Sequence, residues 1–485
     1  MYIMEGYKFR GTDICERLLK SFIASDKKVV VYFDPDVDGM IAGYFVCKYL
    51  TMYGKSFSWY VNSNRSHNWD LDLEKIRDCN VVAVDFMIPK DMIQNITDKG
   101  ISIVSMDHHV NGDSFIHIKS KGEGVVINNQ YLFEDSSRAY LSGAGVVFET
   151  LSNLDSNFCT EENKALVGLT LLSDVCNIEN ALAKGYLATL YNHKYKGYIR
   201  YLIDGTMGDK DWGFGVPRLD RKYAEFKFSP AVNACLRFNR ESDVVKFFLG
   251  TAKLDLTYRE KQKNLVKKML KVVEVREFEK LRVVFLNDWD KSVSYYSDVL
   301  SNFIGLIASR YLDGKKSVLA YLISKDVYGK RYVKRASFRG HINGADYLKE
   351  SMGIIDGIGH QSAFGVLNLR PNKQLFEKLN VACKEAEEGY IGGSSIIPVT
   401  NLAIFADRKG KRCAEHNMYC LAQNNTYVRY IGSNIKVISN TPSFQKYKVD
   451  GIEVKCFDSS IDFTNGVIYP VLERGFIYYY LQKEN

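Results

Sequence analysis

Short runs of apolar, β-branched residues alternate with stretches of helical spacing through the first part of the chain, the pattern that βαβ units around a mainly parallel sheet produce. Lys28–Phe33, Val81–Phe86, Ile101–Met106 and Gly124–Asn128 read as strands. Met40–Leu50 and Asp91–Lys99 carry helical spacing between them, and Ala165–Ser173 reads as a later apolar helix. These elements predict a first domain over 1–202. From Lys253 to Lys280 the period is helical: Leu265, Met269 and Val272 share one face, and Lys263, Lys267 and Lys271 share another. That predicts a helical connector, 203–280, ending in a long helix. A second α/β pattern follows, with strands Arg282–Leu286 and Ser317–Ile323 around a helix Val299–Tyr311, and predicts a smaller domain over 281–391. Beyond Gly392–Ser395 the pattern changes to short alternating strands with turns at Asn424, Gly432 and Gly451, so 392–485 is expected to form a small β-barrel or sandwich.

A length of 485 residues fits several domains, and 46% hydrophobic with 25% charged residues is the usage of folded globular proteins. Met1–Asp13 is polar, and no segment has the apolar length of a membrane span, so the expectation is a cytoplasmic protein with no membrane partner. The ten cysteines lack a CxxC pair, which argues against a disulfide framework or a structural zinc site and predicts reduced core thiols. A net charge of +8 leans toward an anionic partner without identifying one.

The candidate chemistry lies where strands end. Asp34-Pro35-Asp36-Val37-Asp38-Gly39 follows the first strand and opens a helix. Three carboxylates so close repel one another without a cation, although a turn with a helix cap would use the same residues. Asp85 closes the next strand and Asp107-His108-His109 the one after, so all these groups sit at carboxyl ends of parallel strands, which face one crevice. Asp174 ends the later apolar helix. Aspartate oxygens with one or two imidazoles suit Mn²⁺ or Mg²⁺ better than structural Zn²⁺. A site this acidic could hold two ions roughly 3.5–4 Å apart, the spacing that clamps attacking and leaving oxygens in phosphoryl displacement.

In their order, Asp34–Gly39, Val84-Asp85-Phe86, Met106–His109 and Leu171–Asp174 resemble the four N-terminal motifs of the DHH phosphoesterases, Asp107-His108-His109 being the naming triplet. The resemblance implies that Asp36 and Asp38 bind different metals, Asp85 bridges them, and His108 and Asp174 complete one site. It places His109 beside the scissile phosphate, with Asp38 and Asp85 in the catalytic centre. Many relatives carry a histidine where this chain has Tyr32; RecJ-type members carry an additional acid where Asp34 stands. Leu141–Val146 is similar to the small-residue helix start that follows the triplet, with helix packing its expected role. Pro230–Arg237 resembles a RecJ segment, PRxNAxGR, but Ala231 and Leu236 depart from it, which leaves Arg237 as the implied substrate contact. Ser337-Phe338-Arg339 matches an S-x-R element, and Gly357–Gly365 resembles the GGHxxAxG loop of a DHHA1 domain with Ile358 in place of a glycine. Ser337, Arg339, Gly359 and His360 are therefore the implied substrate-holding residues.

The fold class that follows is α/β: a parallel-sheet DHH domain, a linker helix, a smaller DHHA1 domain and a C-terminal β domain, OB-like by its place in the order. The implied activity is a two-metal, RecJ-like exonuclease acting on single-stranded DNA, in preference to RNA, from 5′ to 3′ with release of 5′-nucleotides. The same motifs occur in nanoRNases and cyclic-dinucleotide phosphodiesterases, in type II pyrophosphatases and, with ligands lost, in an inactive replication scaffold. Two further features are open to either reading. The run Lys261–Lys271 has five lysines and no acid, which describes a solvated helix face or a funnel for phosphates. Tyr427–Tyr430 and Phe444–Lys448 interleave aromatic and basic residues, as a half-buried sheet or a base-stacking surface would.

Overall fold

The computed structural model describes residues 9–62, 69–86, 88–109, 115–129, 141–174, 176, 181–193, 196–207, 223–342, 345–360, 362–367, 370–389, 396–399 and much of 427–483. The chain divides into two compact units, Met1–Tyr390 and Ile391–Asn485. In the first, α1 (Thr12–Ala24), β1 (Lys28–Phe33), α2 (Val37–Met52), β2 (Phe57–Val61), β3 (Cys79–Val84), α3 (Lys90–Asp98), β4 (Ile103–Asp107), β5 (His117–Lys119) and β6 (Glu123–Asn128) build a sheet of order β2-β1-β3-β4-β6-β5. All neighbours are parallel except β5 against β6. Every residue of β4, and all but the first of β1 and β3, is buried. Strands covered on both faces need continuous rather than alternating apolar runs, which is why these were visible in the sequence. After β1 the chain adds β2 on one side and β3 on the other, so the order reverses between β1 and β3. Such a switch point opens a crevice at the carboxyl ends of the two strands.

Then come α4 (Gly143–Leu154), α5 (Glu161–Ser173), α6 (Ala181–Asn192), α7 (Gly197–Thr206), α8 (Ser229–Arg237), α9 (Glu241–Phe248) and α10 (Thr257–Met269). The last is shorter than its period suggested. It buries Leu265, Val266 and Met269 and stops, and β7 (Glu274–Glu277) pairs antiparallel with β8 (Leu281–Asn287). Val272, Val273 and Val275 favour the extended backbone, and pairing at a sheet edge overrides the helical spacing there.

A second sheet, β11-β12-β10-β9-β8-β7, comprises these and β9 (Ser317–Lys325), β10 (Arg331–Arg339), β11 (Asp356–His360) and β12 (Ala363–Leu367). Helices α10 and α11 (Ile304–Arg310) cover one face, and α12 (Tyr347–Ser351) and α13 (Lys373–Glu388) the other. The helix read over Val299–Tyr311 begins as a 3₁₀ turn, Leu300–Phe303, before α11.

The second unit is a seven-stranded sheet, β13 (Ile396–Val399), β14 (Tyr427–Tyr430), β15 (Ile435–Thr441), β16 (Phe444–Val449), β17 (Ile452–Cys456), β18 (Gly466–Glu473) and β19 (Phe476–Lys483), in the order β13-β14-β18-β19-β17-β16-β15. In β16, Gln445, Tyr447 and Val449 are buried while Lys448 is exposed, the alternation of a sheet with one solvated face. The turns expected at Asn424, Gly432 and Gly451, and the Gly392–Ser395 stretch, lie outside the described residues. Among the described cysteines all are free thiols and most are buried or half-buried, but Cys159 is exposed, so it is not the core thiol expected. No described helix is long and apolar enough to cross a membrane.

Candidate metal centre

Each acidic residue is held by a specific local device. Asp36 is the N-cap of α2, its Oδ1 accepting from the Gly39 amide at 2.9 Å. The cap reading and the metal reading of this turn are thus both open to one residue. Gly39 is required, because a Cβ there would lie 2.4 Å from the Asp34 carbonyl oxygen. Asp38 is buried and accepts from the amides of Gly143, at 2.5 Å, and Ala144, at 3.1 Å, at the start of α4. Amides in a helix's first turn have no partner within the helix, and they stabilise a carboxylate. Asp85 leaves β3 with φ 54, a left-handed conformation that Asp tolerates better than most residues. A Cβ on Gly143 would come within 2.4 Å of Asp85 Oδ1. The small-residue start of α4 therefore does more than pack helices: it lets α4 touch two of the carboxylates.

These acids converge on one imidazole. His108 Nε2 lies 3.2 Å from Asp85 Oδ1, 3.7 Å from Asp174 Oδ2 and 3.9 Å from Asp38 Oδ2. Asp174 caps the carboxyl end of α5, and Cys176 Sγ donates to its Oδ2 at 3.3 Å. Burial, followed by the repulsion of neighbouring carboxylates, pushes Asp38 and Asp85 well above the usual carboxylate range. Asp34 and Asp36 are among the charges that act on Asp85. Burial also raises Asp174, opposed by His108.

Asp107 and His109 behave oppositely. His109 Nδ1 is 2.8 Å from Asp107 Oδ1. Despite burial that opposes ionisation in each, the pairing holds Asp107 down at about 2 and His109 up at about 10. Asp107, then the nearby Asp174 and Asp34, thus favour a proton on His109.

The donor set fits a divalent cation. Asp85 Oδ1 is buried without a hydrogen bond, and Asp85, His108 and His109 offer ligand atoms within 4.8 Å of one another, as do His108, Asp174 and Cys176. Carboxylate oxygens with imidazole suit Mn²⁺ and Mg²⁺. Tyr32 takes no part in this donor set: its hydroxyl donates to Asp70 Oδ1 at 2.6 Å, and its ring packs on Trp69 and Phe86.

The substrate-holding residues expected further along fall in two places. Arg339 Nη1 donates to Ser337 Oγ at 2.9 Å and to the Phe338 carbonyl at 2.6 Å. Arg339 pairs with Ala363 of β12, and so does His360 of β11, so the S-x-R element and the glycine-rich loop meet on one row of the second sheet. Gly359 has φ 142, and a Cβ there would lie 2.8 Å from the Ala363 carbonyl oxygen. No carboxylate pairs with Arg339 among the described residues; burial, then the nearby Arg335, lowers it to about 10. Arg237, by contrast, ends α8 and donates to Gln262 Oε1 on α10 at 2.9 Å. Gly143, Ala144 and Cys176 were not expected at the site, and Asp107, expected at the strand end, was given no role of its own. Asp107 had a signal, its place in the naming triplet; the others come from chain segments far from the ligands they touch or, for Cys176, from beyond the last motif.

Residues 28–173 match the family model "DHH family, N-terminal domain". No curated protein matches the chain in sequence. The fold is similar to that of RecJ in complex with Mn²⁺ from Thermus thermophilus, with a TM-score of 0.60 and 15% identity over 99% of this chain and 72% of that one. The same protein with Mg²⁺ gives 0.55 and 14% over 99% and 71%, and an exonuclease RecJ bound to manganese gives 0.51 and 16% over 79% and 96%. Residues 28–173 thus match the DHH family model, on a chain whose fold is similar to that of RecJ.

Proposed function

We propose that this protein is a metal-dependent phosphodiesterase that degrades single-stranded nucleic acid as a RecJ-like exonuclease, acting on DNA in preference to RNA, from the 5′ end, with release of 5′-nucleotides. The observation that carries this reading is the convergence of Asp38, Asp85 and Asp174 on His108 Nε2, with a buried Asp85 oxygen that accepts no hydrogen bond. Asp34, Asp36, Asp38, Asp85, His108 and Asp174 would hold two Mn²⁺ or Mg²⁺ ions. Such ions supply Lewis acidity that lowers the pKa of a water and offsets charge on phosphoryl oxygens.

The chain's own residues supply the rest. His109 has its Nδ1 engaged by Asp107, which favours the protonated ring, so Nε2–H is the group that would donate to a phosphoryl oxygen as its charge rises. Arg339, with no carboxylate partner among the described residues, is a fork for a phosphate of the strand, and Gly359 lets β11 lie close against β12 beside it. His360 pairs with the same β12 residue, Ala363, as Arg339 does, and in this reading holds substrate with it. Residues 281–391 form the substrate-holding DHHA1 domain in this reading, and 392–485 an OB-like domain for longer strands. Purified protein with Mn²⁺, given end-labelled single-stranded DNA, RNA and dinucleotides side by side, tests it. Stepwise shortening of long DNA from the 5′ end is expected. Cleavage of dinucleotides alone would move the assignment to the short-oligonucleotide class, and no metal-dependent cleavage of any would leave a non-enzymatic scaffold.

A further inference from the structure

We propose that the exposed side of α10 is a second nucleic-acid contact, a basic track that binds the phosphate backbone of a strand at a place separate from the metal ligands. Lys261, Lys263, Lys267, Lys268 and Lys271 are all exposed, and no acid lies between them. Solvated helices ordinarily offset such charge with acids at i, i+4, and like charges at that spacing oppose the helix. Here the only carboxylate paired with these lysines among the described residues is Glu260, 3.5 Å from Lys263. Lys267 and Lys268 in the last turn, with Lys271 just past it, suit the helix dipole; Lys261 and Lys263, nearer its start, do not.

The lysines also line concave surface. A groove of about 440 Å³ between α10 and α11 has Val266, Leu270 and Leu306 among its apolar lining and Lys267, Lys271 and Arg310 among its cations. A second, of about 380 Å³ on the other flank, is lined by Lys261, Lys268 and Tyr296 together with Lys267 and Lys271 again. Lys261 Nζ sits 4.1 Å above the Tyr258 ring and Lys268 Nζ 5.7 Å from the Tyr296 ring, and Tyr295 beside it is 87% exposed. The first groove includes Gln262, which receives Arg237 of α8, so a further cation adjoins it.

Cations on both flanks of one helix, spread over about 15 Å at 1.5 Å per residue, match a polymer of repeated charge better than a single anionic anchor. Tyrosine rings among the lysines add faces on which unpaired bases stack. The occupant is therefore a single strand rather than an acidic peptide. This rests on the nucleic-acid reading above.

The test is equilibrium binding of a fluorescent single-stranded oligonucleotide to the full chain in chelator, where hydrolysis does not intervene, across a salt series. Replacing Lys267, Lys268 and Lys271 together by alanine is expected to lower the salt-dependence slope by about 2, since each phosphate contact on a single strand contributes about 0.7. At 0.1 M salt that is about a 100-fold loss of affinity. The triple arginine variant is expected to retain both slope and affinity. An unchanged slope in the alanine variant, with wild-type protein binding normally, overturns this inference alone; absence of binding by wild-type protein overturns the nucleic-acid reading itself. If poly-glutamate binds and loses affinity in the variant while the oligonucleotide does not, the surface serves an acidic protein and the inference falls.

Discussion

At the scale of single residues, the site separates groups that hold a cation from groups that handle a phosphate. His108→Ala removes the imidazole on which three carboxylates converge, and Asp85→Asn removes the charge of the unbonded buried oxygen. Either should lower kcat by about 10³-fold or more while the circular dichroism spectrum is kept, because each ligand serves the metal chemistry as a whole. Near-wild-type turnover in either would overturn the metal assignment. Asp107→Asn makes a different demand. His109 is kept charged to about 10 by Asp107 against the effect of burial. With a neutral partner its pKa falls, so if His109 donates as a cation, the alkaline fall in kcat/KM should move to lower pH. A profile superimposable on wild type would remove His109 from the chemistry. Much of this was legible, because strand ends bring sequence-distant carboxylates together by a rule of the fold. Tyr32 with Asp70, and Asp38 with Gly143, were not, since hydrogen bonds across 38 and 105 positions leave no local pattern.

At the scale of elements, two contacts decide how the first sheet is framed. Gly143 opens α4 against Asp85. In an exposed helix, Gly→Ala stabilises by about 1 kcal/mol. Here Gly143→Ala should instead lower both the melting temperature and activity, because the new methyl overlaps a carboxylate; a rise in melting temperature with full activity would contradict the packing. The other contact ties α1 to the β5–β6 hairpin through Arg17, Glu123 and His117. The hydrogen bond from Arg17, against some desolvation and with help from His117, holds Glu123 down at about 2. A depressed folded pKa contributes stability above the ordinary carboxylate range that is lost as pH falls toward 2. Glu123→Gln should therefore flatten the dependence of melting temperature on pH between about 4.5 and 2, the gap between the ordinary and the folded pKa. An unchanged slope would mean the pair does not act in solution. The strands buried on both faces were legible as apolar runs. The end of α10 was not, because a helical period continues in the sequence past the point where pairing with β8 takes over.

At the scale of the whole molecule, every residue proposed to bind metal precedes position 175, and the second unit has a core of its own around Tyr447, Val454 and Leu481. A chain ending at Tyr390 should keep hydrolysis of short oligonucleotides and bind long strands more weakly, as a length series would show; equal loss at all lengths would make the tail structural. The crowding of buried acids has another consequence, one for stability in the absence of any substrate. Without a cation, Asp38, Asp85 and Asp174 each resist ionisation. The metal-free protein therefore carries a penalty at neutral pH that function imposes, and Asp85→Asn should melt higher than wild type in chelator even as it loses activity. Mn²⁺ should reverse that ranking, because a ligand that binds only the folded state stabilises it by an amount set by its concentration over its Kd, and the wild type alone binds it fully. Heat, with and without manganese, thus reads the site as a trade between durability and catalysis.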